Sequence, residues 1–271
     1  MCRVRIPRYT ENSLTVLPEF GWRRGRSGAA SAGPDASRSE AEIPAPPPPK
    51  RHPYDQWAPD ARALDLVGDK WTLLIVRDLA AGPRRFVELQ RVLPGISTEQ
   101  LRSRLNRMVA DGLLTRQRYR EVPPRVDYEL TDRARDLMPV LGALARWGYE
   151  WSWSAPRPGE AIDIGAILRL APGILRPAQS VSGRVELEVS TKDRTRHYVL
   201  VARGGRVAIE EHPEPEADAR VAGSEKAWIE AFSPDGSYKG LEMSGSTQLA
   251  ELLLDGLQAA QARVSAASSA A

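Results

Sequence analysis

Arginine, asparagine and hydroxyl side chains recur along one segment in the middle of this 271-residue chain. Between residues 84 and 125, ten arginines stand against four carboxylates, so this segment has a net charge of +6, whereas the whole chain carries +3. Guanidinium groups bind phosphates and the edge of guanine, asparagine binds adenine, and hydroxyls bond to bases or phosphates. The segment therefore has the side chains of a nucleic-acid-binding surface, although a solvated arginine-rich face has the same composition.

Two predicted elements carry most of these side chains, a helix that begins after Ser97 and a hairpin that follows it. We expect the helix to bury an apolar stripe and to present Arg102, Asn106 and Arg107 to base edges. The arginines before the helix and in the hairpin are expected to contact phosphates or the minor groove. The complete predicted DNA-binding set is Arg84, Arg85, Ser97, Thr98, Arg102, Ser103, Asn106, Arg107, Arg116, Arg118, Arg120 and Arg125.

Glycine and proline breaks divide the surrounding sequence into the elements that would hold these residues. Apolar periodicity predicts a helix that begins near Pro59, a second after Gly68 and a third that ends at Pro94-Gly95. A fourth helix is capped by Ser97 and ends at Gly112. The third and fourth helices would form a helix–turn–helix.

Two strands and a final helix complete this half of the chain. The strand-like runs Leu113–Tyr119 and Arg125–Leu130 are joined by a loop that contains Pro123-Pro124, which favours an exposed connection of fixed shape. A last helix is predicted from Thr131 to about Trp153. A helix–turn–helix with a basic second helix, followed by a basic hairpin, is the layout of a winged-helix DNA-binding domain.

The region from 160 to 257 alternates predicted strands and helices. Gly204-Gly205 between two alternating runs indicates a two-residue hairpin turn. The predicted strands are Arg184–Val189, Arg196–Val201, Arg206–Glu210, Ala219–Ala222 and Lys239–Met243, and the predicted helices are Ile164–Leu170, Glu225–Phe232 and Thr247–Leu257.

Four segments are therefore predicted along the chain. Residues 1–53 are basic and contain the proline run Pro46–Pro49, which predicts a disordered tail. Residues 54–153 are predicted to form the winged helix–turn–helix domain, residues 160–257 a smaller domain, and residues 258–271 a frayed tail. The predicted fold class is α+β, a winged helix followed by a smaller sheet-and-helix domain.

Five motifs follow one another over about ninety residues. They are ARALDLVGDKWTLLIVRDL at 61–79, GPRRFVEL at 82–89, LPGIS at 93–97, DGLLT at 111–115 and EVPPRVDYELT at 121–131. In sequence and order, these motifs resemble those of HxlR-type transcriptional regulators. This resemblance implies a dimeric winged-helix repressor or activator that dimerises through its first and last helices and binds double-stranded DNA.

The second region more weakly resembles the sterol-carrier-protein-like domain that follows this winged helix in some regulators. The resemblance lies in the strand order, in the helix after Ala219–Ser224 and in the segment Gly240–Thr247. It implies a sheet-and-helix layer around an apolar cavity for a lipid or a similar hydrophobic small molecule, although the same residues could simply form a packed core. The candidate lining residues are Ile167, Leu170, Ile174, Leu175, Trp228, Phe232, Leu241, Leu249 and Leu253.

An aromatic cluster is predicted where the two domains meet. Trp147 and Trp151 are four residues apart and would share one helix face, with Tyr149 and Trp153 between and after them. We expect packing at a dimer or domain interface, and the same cluster could transmit ligand occupancy to the recognition helices.

Cysteine and histidine usage predicts neither a metal site nor a thiol sensor. The single cysteine, Cys2, excludes an internal disulfide, and the three histidines are scattered. Many HxlR-type regulators have a cysteine just before the proline of the first helix, but Ala58 precedes Pro59 here. The sequence also lacks a Gly-rich phosphate loop and a nucleophile elbow, so we expect neither a cofactor nor an enzyme activity.

These observations predict a cytoplasmic, homodimeric regulator that binds an inverted-repeat operator, with recognition helices about 34 Å apart. A hydrophobic small molecule in the second domain is a possible effector. The alternative is a lipid or small-molecule carrier whose winged helix only mediates dimerisation. No stretch of eighteen apolar residues predicts a membrane-spanning helix, so no membrane partner is expected.

Overall fold

Capping side chains set the limits of the helices in the first half of the chain. The structure is a computed structural model, and it describes residues 53–120, 125–234 and 236–258. Asp69 accepts hydrogen bonds from the backbone N–H groups of Trp71 and Thr72 at 2.8 and 3.1 Å, and Ser97 Oγ accepts one from Gln100 N at 3.1 Å. The first four helices are α1 (Pro59–Val67), α2 (Thr72–Asp78), α3 (Phe86–Val92) and α4 (Thr98–Ala110).

A three-stranded sheet packs beside these helices. Strands β2 (Leu114–Tyr119) and β3 (Arg125–Leu130) form the predicted hairpin. A short strand β1 (Arg84–Arg85), which the sequence did not predict, pairs with β3 opposite Tyr128 and Asp127. Two residues are too few to show an alternating pattern, so this strand depends on a partner more than forty residues away.

The predicted last helix is two helices, α5 (Asp132–Arg135) and α6 (Met138–Trp151). Pro139 explains the break, because its ring lacks an N–H and would clash with the carbonyl four residues earlier. Thr131 caps α5 by accepting a hydrogen bond from Ala134 N at 3.3 Å. A single helix from Thr131 to Trp153 was therefore a wrong prediction.

A five-stranded sheet with flanking helices forms the rest of the described chain. The sheet order is β6-β5-β4-β7-β8, in which β4 and β7 are parallel and the other neighbours are antiparallel. The helices are α7 (Ile164–Leu168), α8 (Ala171–Ile174), α9 (Glu225–Ala231) and α10 (Thr247–Gln258). The strands are β4 (Gly183–Ser190), β5 (Thr195–Arg203), β6 (Arg206–Glu210), β7 (Ala219–Ser224) and β8 (Glu242–Gly245).

Turn chemistry accounts for one feature of this sheet and corrects another. Gly204 and Gly205 have φ angles of +56° and +74°, the left-handed conformation that a two-residue hairpin turn requires. The strand predicted at Lys239–Met243 is wrong in its first half, since Tyr238–Gly240 form a 3₁₀ turn and β8 begins at Glu242.

Two hydrophobic cores meet along α6 and α8. Leu89, Leu101 and Leu105 lie in the first core, and Trp228 and Leu253 lie in the second. At the contact between the helices, a Cβ atom on Gly142 would lie 2.0 Å from the carbonyl oxygen of Gly173. Two glycines therefore let the backbones of α6 and α8 approach without intervening side chains.

Candidate nucleic-acid interface

The turn between α3 and α4 holds the start of α4 in place. Gly95 has a φ angle of +82° and turns the chain between the helices. Gln90 Nε2 donates a hydrogen bond to Thr98 Oγ1 at 2.8 Å, and Gln100 Oε1 accepts one from Ser97 N at 3.1 Å. Farther along α4, Arg104 forms an ion pair with Asp69 at 3.1 Å. The helix is thus fixed at its N-terminus and at its middle.

The outer face of α4 presents polar side chains to solvent. Arg102, Ser103 and Asn106 are exposed, as Thr98 is at the N-terminus of the helix, whereas Leu101, Leu105 and Met108 are buried on the opposite face. Arg102 Nη1 lies 2.9 Å from Glu99 Oε2, and both side chains are mostly exposed. An ion pair in solvent is weak, so Arg102 can exchange Glu99 for another acceptor at little cost.

Arg107 and Ser97 are engaged within the protein. Arg107 Nε lies 3.2 Å from Asp111 Oδ2, and the Arg107 side chain is only 15% exposed. The Ser97 hydroxyl is used in the helix cap. The structure therefore places Arg102 and Asn106, rather than Arg107, on the face that could meet base edges.

The wing formed by β2 and β3 presents the other arginines. Arg116 and Arg118 lie two residues apart on one face of β2, and Arg120 is exposed just beyond the strand. Arg125 forms an ion pair with Asp127 at 2.6 Å and lies over the Tyr119 ring at 4.9 Å. The predicted loop prolines, Pro123 and Pro124, lie outside the described residues.

Arg84 and Arg85 diverge although they are neighbours in sequence. Arg84 points inward, donates a hydrogen bond to the Asp78 carbonyl at 2.8 Å and pairs with Glu211. Burial, reinforced by the nearby Arg169 charge, lowers the Arg84 pKa. The Arg85 side chain is half exposed and lies 3.9 Å from Asp127. Arg84 thus does not face solvent as the predicted phosphate contact requires, whereas Arg85 does.

A buried charge cluster connects Arg84 to the second core. Arg169 lies 3.0 Å from Asp78 and 3.1 Å from Asp163, and its side chain is fully buried. Burial alone would raise the pKa of Asp163, but Arg169 and Arg196 outweigh it and hold that pKa below its ordinary value. This cluster was not predicted, because its members are up to 133 residues apart and no local pattern connects them.

A large cleft of about 1120 Å³ lies between the two cores. Of the nine predicted lining residues, Ile167, Leu170 and Phe232 line it. The other six predicted lining residues do not line this cleft and pack in or against the second core: Ile174, Leu175, Trp228, Leu241, Leu249 and Leu253.

The predicted aromatic cluster divides between two surfaces. Trp147 and Trp151 are 58% and 67% exposed. Tyr149 is buried and contacts Trp153 edge-on at 5.3 Å, and Trp153 Nε1 donates a hydrogen bond to the Phe232 carbonyl at 2.8 Å. The first pair faces outward and the second pair lines the cleft.

Comparison with known proteins identifies the first half of the chain. The model of the HxlR-like helix-turn-helix family matches residues 66–155. An HTH-type transcriptional regulator of Halalkalibacterium halodurans is 44% identical over 96 residues, which cover 35% of this chain and 85% of that protein. The chain belongs to the HxlR-like helix-turn-helix family of transcriptional regulators. A second HTH-type transcriptional regulator, from Synechocystis sp., is 42% identical to this HxlR-like protein over 93 residues, which cover 34% of this chain and 69% of that protein.

The solved structure of the reduced transcriptional regulator YodB from B. subtilis is 30% identical to this HxlR-like chain. It covers 39% of this chain and 100% of that one, with a TM-score of 0.33. The two relatives from Halalkalibacterium halodurans and Synechocystis sp. are described as HTH-type transcriptional regulators. Their descriptions indicate no catalytic function and do not support the carrier alternative. Within the described part of the chain, no helix is long and apolar enough to span a membrane.

Proposed function

We propose that this HxlR-like protein is a sequence-specific DNA-binding regulator whose helix α4 enters the major groove. The observation that carries the proposal is a row of solvent-exposed polar residues on α4, whose opposite face is buried in the core. The row consists of Thr98, Arg102, Ser103 and Asn106. Arg102 is suited to guanine and Asn106 to adenine. Because its other face is packed in the core, α4 can approach DNA as a rigid unit.

We propose that the wing arginines make the contacts to DNA that do not depend on its base sequence. Arg116, Arg118 and Arg120 are placed to contact phosphates beside the groove that α4 occupies, and Arg85 adds a half-exposed charge. Such contacts position the protein on the duplex and make its affinity depend on salt. Arg84 is left out of this set because its side chain is mostly covered and pairs with Glu211. Arg107 and Arg125 are assigned secondary roles because Asp111 and Asp127 pair with them.

We further propose that the protein binds DNA as a homodimer through α6 and α1. Val140, Leu144, Trp147 and Trp151 recur at helical spacing on α6, and each is at least half exposed. On α1, Leu64 is 47% exposed. A large apolar stripe in solvent is unusual for a monomer, and a second copy would bury it. Two-fold symmetry would then present two α4 helices to an inverted repeat.

The second core is proposed to carry an effector site and to brace α6. The five-stranded mixed sheet and its covering helices support the resemblance to a sterol-carrier-like domain. Gly142 of α6 and Gly173 of α8 are in close contact, so α8 of the second core packs directly against the helix that we propose forms the dimer interface.

Selection of bound duplexes from a random DNA pool by the full-length protein tests this function. We expect enriched sequences with two-fold symmetry and half-sites about 10 base pairs apart, centre to centre. Parallel selection with an Arg102→Ala, Asn106→Ala protein should lose this enrichment while retaining weak binding. If the wild-type protein enriched no sequence, sequence-specific recognition would be excluded.

A further inference from the structure

We propose that the cleft between the two cores binds an amphipathic carboxylate, a molecule with an apolar body of fatty-acid size and a single anionic head. This inference deepens the proposed effector function and rests on it only for the consequence on DNA binding. Binding itself is a separate property that can be measured without DNA.

Apolar side chains in the cleft are suited to an apolar body. They include Trp71 just before α2, Tyr149 of α6, Ile167 of α7, and Ile229 and Phe232 around α9. These side chains come from both cores, so a ligand would contact both. A volume of about 1120 Å³ accommodates a lipid-sized molecule, because ligand pockets are commonly about 300–1,000 Å³.

One end of the cleft is basic. There it adjoins a smaller hollow of about 330 Å³, and the two share Arg91, Arg194 and Arg196 in their walls. Arg196 is 3.3 Å from Asp163. Among the residues that the structure describes, no acidic group lies within ion-pair distance of the Arg91 or Arg194 guanidinium, and both side chains are exposed. Two guanidinium groups at this end are therefore available to an anionic ligand.

Besides Asp163, the carboxylates that line the two hollows beside these arginines are Glu88, Asp193 and Glu211, and in the described chain none of them forms an ion pair with Arg91 or Arg194. Glu211 pairs with Arg84, and Glu88 accepts a hydrogen bond from Arg85 N at 2.7 Å. Neither neutralises Arg91 or Arg194. A carboxylate head would receive charge-assisted hydrogen bonds from these two arginines, which a neutral lipid would not. A compact polar anion would leave the apolar walls uncovered.

The location of the cleft connects its ligand to DNA binding. Arg91 is on α3, and Pro94, which also lines the cleft, lies in the turn immediately before α4. A ligand that engages Arg91 on one side and α9 on the other would couple the second core to the helix–turn–helix. By reciprocity, a ligand that changes operator affinity must itself bind with changed affinity to the DNA complex.

Isothermal titration of the full-length protein with decanoate and with decanol tests the inference. We expect decanoate to bind at least about 10-fold more tightly than decanol, because only the carboxylate pairs with the arginines. An Arg91→Gln, Arg194→Gln protein should lose this preference while binding decanol as the wild type does. Arg203→Gln, which removes an exposed arginine at the far end of β5, is the matched control and should leave both affinities unchanged.

Two results would overturn the inference. The first is no binding of either compound, and the second is equal affinity for both with no effect of the double substitution. Operator binding by the same protein without ligand is measured in parallel. Intact operator binding together with either of these results would refute the ligand site and leave the proposed DNA-binding function standing. Absence of operator binding together with selective decanoate binding would refute the proposed DNA-binding function and support the ligand site.

Discussion

Asp78 at the end of α2 and Arg169 after α7 form an ion pair of 3.0 Å in which both side chains are fully buried. The pair joins the helix–turn–helix half of the chain to the second half across 91 residues. Arg169 also lies 3.1 Å from Asp163 and 3.8 Å from Glu211. The same three carboxylates pair with a second arginine each, Asp78 with Arg77, Asp163 with Arg196 and Glu211 with Arg84. The two halves are therefore held together by charge as well as by the contact between α6 and α8.

Removal of Arg169 should destabilise the protein strongly. Arg169→Met removes the fully buried partner of Asp78, which keeps only the partly exposed Arg77. Removal of one partner of a buried pair costs about 3–5 kcal/mol in the free energy of unfolding. Lys226→Gln, which removes an exposed pair with Glu230, should cost less than about 1 kcal/mol. Urea unfolding of the three proteins measures both values, and equal stability of Arg169→Met and wild type would show that the pair is not buried in solution.

Gly142→Ala should also destabilise the protein, because its new Cβ would meet the Gly173 carbonyl at 2.0 Å. Overpacking of this kind costs about 1–3 kcal/mol. Gly148→Ala on the same helix is the matched control. Its Cβ would have no neighbour within 4 Å, so it should stabilise α6 by about 0.5–1 kcal/mol. Thermal unfolding should therefore shift in opposite directions for the two variants, and a shift in the same direction would disprove the close contact.

Trp147→Glu should convert the proposed dimer to a monomer, since it places a charge in the exposed apolar stripe of α6. Arg146→Glu introduces the same side chain on the same helix but off the stripe, and should leave the dimer intact. Analytical ultracentrifugation gives the mass of each protein. A dimeric Trp147→Glu protein would place the interface elsewhere.

Acid should destabilise the protein partly through Asp163. The pKa of this carboxyl is lowered in the folded protein, mainly because Arg169 outweighs the effect of burial. Its stabilising contribution is therefore present above the unfolded pKa of about 3.9 and is lost as pH falls through the lower folded pKa. Asp163→Asn should be less stable than wild type near neutral pH and should lose less stability on acidification. Urea unfolding between about pH 7 and pH 1.5 checks this, and parallel curves of stability against pH for the two proteins would contradict it.

Local signals predicted most elements of the fold. The capping residue Ser97, the paired glycines at 204–205 and the strand Arg125–Leu130 were predicted from short patterns and are present in the structure. The break at Pro139 could have been predicted from the same rules, because proline is excluded from a helix interior. Strand β1 could not, since its two residues depend on a distant partner.

The candidate site was only partly predictable because some of its side chains are positioned by residues that are distant in the sequence. Helical periodicity identified the exposed face of α4, including Arg102 and Asn106. It could not show that Arg84 turns inward toward Glu211, because their ion pair spans 127 residues. It also could not separate Ile167, which lines the cleft, from Leu253, which lies in the core, because both are apolar residues on amphipathic helices.

Binding of a selected operator at several salt concentrations tests the central proposal most directly. Arg102→Ala should weaken operator binding by about 1–3 kcal/mol. It should therefore also reduce the difference in affinity between the operator and unrelated DNA. Arg116→Ala should weaken both DNAs alike and reduce the salt slope by about 1, while Arg203→Gln should change neither. Unchanged affinity, specificity and salt slope in the Arg102 and Arg116 variants would show that α4 and the wing are not the DNA-binding surface.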